Sequence, residues 1–77
     1  MATITDQDCK DIITVMRDLR GYAESVALED SISGTVETHD EWVQALAHNI
    51  GAETVIEYAQ SIHSELAARV RGVLGIA

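Results

Sequence analysis

Seventy-seven residues with five Lys or Arg against thirteen Asp or Glu, one cysteine and no proline describe one small acidic domain of net charge −8. A disulfide framework needs a second cysteine, a Cys/His zinc cage needs more than Cys9 and three scattered His, and no apolar run approaches the roughly 18 residues of a membrane span. All five cations (Lys10, Arg17, Arg20, Arg69, Arg71) lie near the two ends, and no Lys or Arg interrupts the nine acids from Glu24 to Glu65, a field that repels nucleic acid and anionic membranes and attracts basic proteins.

In chain order, the first stretch, MATITDQDCKD, lacks the basic start and apolar core of a signal peptide. With one unpaired cysteine, it points to the cytoplasm. Thr5 precedes Asp6 and Asp8, an N-cap hydroxyl followed by first-turn acids. Cys9, Ile12, Ile13, Met16, Leu19, Ala23, Val26 and Ala27 then recur at steps of three and four. This stripe keeps its phase across Gly21 and predicts one long helix, about 6–31. The alternative is a break at Gly21, with Arg17 and Arg20 complementing a helix C-terminus. Residues 31–37, with Gly34 in their midst, read as a loop.

Thr38-His39-Asp40-Glu41 fits a capping box that opens a short second helix, about 39–50. Its stripe is Val43, Leu46, Ala47 and Ile50, and Gly51 ends it. A third helix, about 52–74, carries the most regular stripe, from Val55 through Ala59, Leu66 and Val70 to Leu74, with His63 on the same face. Glu65 and Arg69 are spaced to pair across one turn. The expected fold is therefore all-α, a small three-helix bundle over residues 1–77. Below about 70–80 residues a core rarely supplies more than roughly 3–5 kcal/mol. Two helices too long for the short one to cover point to a homodimer.

Two short patterns resemble known families. Leu46-Ala47-x-x-x-Gly51 resembles the first helix and turn of a helix-turn-helix, which implies a dimeric DNA-binding regulator. The apolar pair after the glycine, Val55 and Ile56, comes a residue early, and the would-be reading helix offers Glu53, Glu57 and Gln60 to phosphate. Asp30-Ser31-Ile32 resembles the Asp-Ser-Leu of acyl carrier proteins, which implies a phosphopantetheine arm on Ser31 at a helix start. Gly34 departs from that pattern, falling where the helix should run.

No nucleophile–base–orienter set is visible, and no enzyme or cofactor is expected. Cys9 sits on an apolar stripe between Asp8 and Asp11, unlike a reactive thiolate. His39, His48 and His63 lack metal-ligand spacing, and His63 reads as a core-edge histidine. Trp42 serves either as core or as an interface anchor. The expected function is a non-enzymatic acidic module, an adaptor or inhibitor that docks on a basic or nucleic-acid-binding protein. Its binding residues are Asp40, Glu41, Trp42, Glu53 and Glu57, gathered in one negative ridge.

Overall fold

Thr5 and Asp8 start the first helix by capping each other. The Asp8 N–H donates to the Thr5 hydroxyl at 3.1 Å, and the Thr5 N–H donates to the Asp8 carboxylate at 3.0 Å. Two donors that a helix start leaves open are thereby satisfied. The helix, α1, runs Asp6–Arg20 and buries Cys9, Ile12 and Met16, the face its apolar spacing marks out. The computed structural model describes residues 4–76. Four further helices follow α1 within them: α2 (Tyr22–Ser33), α3 (His39–Ile50), α4 (Ala52–Ile62) and α5 (Ser64–Leu74), with no strand among the described residues.

Three of the four helix junctions are single residues with one shared backbone pattern. The N–H of the junction residue donates back to the preceding helix, and its carbonyl accepts from the following one. Gly21 links Arg17 and Ser25 in this way, Gly51 links Ala47 and Val55, and His63 links Ala59 and Ala67. The glycines do so at φ 94, with ψ 154 at Gly21 and 140 at Gly51, a region that side chains beyond Cα all but forbid. His63 does so in extended backbone, φ −166 and ψ 155.

These corners correct the three-helix expectation to five helices. A continuous helix over 6–31 would be about 39 Å long, whereas the longest extent of the molecule is 32 Å. The chain instead breaks at Gly21, and Arg17 and Arg20 occupy the last turn of α1, where cations complement the dipole. The expected helix 52–74 breaks at His63. Leu19, Ala23 and Ala27 leave the stripe for solvent, Leu19 being 67% exposed. The loop is also shorter than residues 31–37, since α2 continues through Ser33.

Folding the two stripes back on themselves closes a core within one chain. Ile12, Met16, Ile32, Val43, Leu46 and Val70 are all at most 1% exposed. Ala59 and Ala67 are wholly buried, and their small side chains suit the close approach of α4 and α5, the most extensively packed pair of helices. The radius of gyration is 11.2 Å, against about 11–12 Å expected of a compact chain of this length. The two over-long helices on which the homodimer expectation rested are replaced by four shorter ones. Among the described residues, Leu19, Tyr22 and Ile76 are the large apolar side chains left exposed.

Candidate functional site

The five residues expected to form one ridge fall into two sets with different work. Asp40 and Glu41 hold the start of α3. Glu41 accepts from the N–H groups of Glu37 at 2.9 Å and Thr38 at 3.0 Å, while its own N–H donates to the Thr38 hydroxyl at 3.1 Å. Those two backbone donors pull the Glu41 carboxyl below its ordinary range. Asp40 accepts the Ile4 N–H at 2.8 Å and so ties the chain ahead of α1 to α3. Trp42 is 7% exposed and belongs to the core cluster.

Trp42 also borders a groove of about 440 Å³ with Cys9 and Ile13 at its apolar side. The charges around this groove are matched internally. Lys10 pairs with Asp6 at 3.0 Å, Arg17 with Glu29 at 3.4 Å, and His39 Nε2 lies 3.7 Å from Asp6. Burial first, then the negative charges of Asp6, Asp8 and Asp40, push the Cys9 thiol up to about 12, so it stays protonated and unreactive at neutral pH.

Glu53 and Glu57 lie elsewhere, on the outer face of α4. With Ile56 of the same helix, Arg71 of α5 and Ile76 they line a second groove of about 310 Å³, which shares no residue with the first. Both glutamates are exposed, and neither is in an ion pair among the described residues. Gly51 sets this face. Val55, Tyr58 and Ala59 turn inward, and the intervening acids are left on the far side of the helix.

Several positions differ from the sequence reading. His63 is exposed rather than at the core edge, and its Nδ1 accepts the Leu66 N–H at 3.0 Å as the N-cap of α5. Arg69, spaced to meet Glu65, lies 4.0 Å from it. Its closer partner is Asp8, 61 residues away and 6% exposed, which it grips with two guanidinium nitrogens. Burial by itself would raise the Asp8 pKa; the hydrogen bonds from Arg69 and Thr5 outweigh it and hold the carboxyl below its ordinary range. No local spacing announces this clasp, although a first-turn acid on the inner side of a cap is its one sequence trace.

Ser31 is exposed near the C-terminal end of α2, not at a helix start. His48 is exposed in the last turn of α3. Among the described residues no group of His, Cys, Asp and Glu is placed to hold a metal ion, and no helix is long and apolar enough to cross a membrane. Compared with protein-family models, curated proteins and solved structures, the chain matches none.

Proposed function

We propose that the chain is a non-enzymatic acidic module that docks, as a monomer, on the basic surface of a partner protein through the Glu53–Glu57 face of α4. One observation carries this reading. Two exposed carboxylates one turn apart, in no ion pair among the described residues, flank a groove whose apolar members are Ile56 and Ile76 and which Arg71 of α5 also lines. A Lys or Arg side chain suits that combination, its aliphatic stem against the isoleucines and its charged head between the acids. Apart from Arg71 in the lining, no Lys or Arg from Gly21 to Ala68 offsets the acids on this side of the chain.

The binding set is thereby narrowed. Asp40, Glu41 and Trp42 have structural work at the start of α3, which leaves Glu53 and Glu57 to meet a partner. A core that closes within one chain supports the monomer over the expected homodimer, and sedimentation equilibrium at high micromolar concentration decides between them. A cytoplasmic setting goes with the reading, since a single buried thiol suits a reducing compartment. The DNA-regulator alternative would put α4 in the groove of a duplex. Its outward residues Glu53 and Glu57 oppose the phosphate attraction that supplies non-specific affinity, and Gln60 beside them adds no positive charge.

The test is a salt titration with a Lys/Arg-rich helical peptide and, separately, a DNA duplex. The expected result is peptide binding that weakens with salt and no duplex binding. Changing Glu53→Gln and Glu57→Gln together should slow association about tenfold at low salt and flatten the salt dependence, with stability altered by less than about 0.5 kcal/mol. Unchanged peptide binding in the double variant would remove this face as the docking surface. Salt-dependent duplex binding would favour the regulator instead.

A further inference from the structure

Three of the five helices carry a side-chain N-cap, and the three caps reach the same place, the third N–H of the helix. Thr5 and Thr38 use a hydroxyl, on Asp8 and Glu41, and His63 uses Nδ1, on Leu66 at 3.0 Å. A hydroxyl oxygen accepts at any physiological pH. An imidazole nitrogen accepts only while it carries no proton. We propose that His63 is a pH-sensitive cap at the corner between α4 and α5, closed when its ring is neutral and opened when the ring is protonated.

The hydrogen bond fixes the tautomer, with the proton on Nε2 and the lone pair of Nδ1 directed at Leu66. A proton added at Nδ1 removes the acceptor and sets two N–H groups against each other. It also places a positive charge at the positive end of the α5 dipole. Both effects have the same sign. The cap therefore stabilises the corner while the ring is neutral and is lost as falling pH protonates it.

The ring is exposed, so water and protons reach it. The titratable groups on the elements packed around the corner are Glu53, Glu57 and Tyr58 of α4, Glu65, Arg69 and Arg71 of α5, His39, Asp40, Glu41 and His48 of α3, and Asp6, Asp8, Cys9, Lys10, Asp11, Arg17, Asp18 and Arg20 of α1. Among the described residues no carboxylate of these elements is in an ion pair with the His63 ring, whereas His39 has Asp6. No ion pair among the described residues therefore compensates the protonated ring as it loses its bond. The walls of the Glu53–Arg71 groove are α4 and α5, which meet here, so opening the cap loosens the hinge between them. The cap stands independently of any role of that groove.

The test follows the backbone amides of the intact chain by NMR between pH 7.5 and 5. The Leu66 amide should shift with the same midpoint as the His63 ring, while the amides of Asp8 and Glu41, capped by threonine, stay in place over that interval. The protection of the Leu66 amide should fall about fivefold, the usual effect of losing a cap. His63→Asn keeps an acceptor at every pH and should abolish the dependence. His63→Ala should leave the first turn of α5 open at both pH values. His39 and His48 are present in all three proteins, so their titration cancels. A Leu66 amide that stays fixed while the ring titrates, or a His63→Asn chain with the dependence of the parent, overturns the proposal.

Discussion

Gly21 and Gly51 turn the chain at φ 94, whereas His63 turns it at φ −166, a value open to any residue. The backbone hydrogen bonds across the three corners are the same. What differs is where the specificity resides. At the glycines it lies in the backbone, and the helices that follow have no side-chain cap. At His63 the backbone is ordinary and the side chain does the capping. One class of corner is thus sensitive to any added Cβ and indifferent to pH, and the other tolerates a Cβ and responds to a proton.

The largest expected effect breaks the backbone class. A Cβ on Gly21 would meet nothing within 4 Å, and one on Gly51 only the Thr54 hydroxyl at 3.8 Å, an ordinary contact. Any loss from Gly21→Ala or Gly51→Ala is therefore strain at positive φ, about 1–3 kcal/mol. His63→Ala should lose only the cap, ~1 kcal/mol at neutral pH. Urea denaturation of the three variants orders them. A D-alanine introduced at Gly21 by chemical synthesis favours positive φ and should restore the loss. If it does not, the corner is limited by space rather than by backbone conformation.

The difference also explains which corners the sequence discloses. Gly51 is legible because a stripe ends at it, and the capping box at Thr38 is legible because its residues are three apart. Gly21 and His63 are concealed by a different effect. The corner at His63 scarcely disturbs the count along the chain, so Ala59 and Val70 stay buried on helices that no longer share an axis, whereas past Gly21 the counted residues Ala23 and Ala27 are exposed and Ser25 and Ile32 are buried instead. Periodicity reports which face is apolar and is blind to a turn that preserves the count. The exposure of Glu53 and Glu57 was open to the same reading, since Val55 and Ala59 claim the inner face. The burial of Asp8 was not, because its partner is 61 residues away.

A smaller effect sharpens the comparison from the far side of the histidine corner. The Asp8–Arg69 clasp joins α1 to α5 beyond His63, whereas the two pairs that span Gly21, Arg17 with Glu29 at 3.4 Å and Arg20 with Glu24 at 2.5 Å, are nearer the surface and contribute little. Asp8 has a lowered pKa in the folded state. Its contribution is therefore present above the ordinary aspartate value near 3.9 and is lost as pH falls below that through the folded value. Asp8→Asn keeps an acceptor for the Thr5 N–H but not the charge. It should cost about 1–2 kcal/mol at pH 7 and flatten the acid limb of stability measured by urea denaturation from pH 5 to 2.5. A limb as steep as in the parent would mean that other carboxylates carry it.

The smallest effect tests whether a glycine corner depends on its backbone alone. Ser25 lies in the first turn of α2, wholly buried, and its hydroxyl has no partner. Its N–H already donates to the Gly21 carbonyl at 3.1 Å, so the corner draws on the Ser25 backbone and not on its side chain. A buried hydroxyl without a partner has lost its hydration and gained no bond in return. Ser25→Ala removes that oxygen, keeps the Cβ, and improves helix propensity by a few tenths of a kcal/mol. The expected result is stability unchanged or raised by up to about 1 kcal/mol, with the backbone amide at this position protected from exchange as well as in the parent. A loss of more than about 1 kcal/mol, outside the usual range for a substitution without a specific role, would show that the hydroxyl holds the corner. Gly21 would then resemble His63, a turn whose following helix is fixed by a side chain.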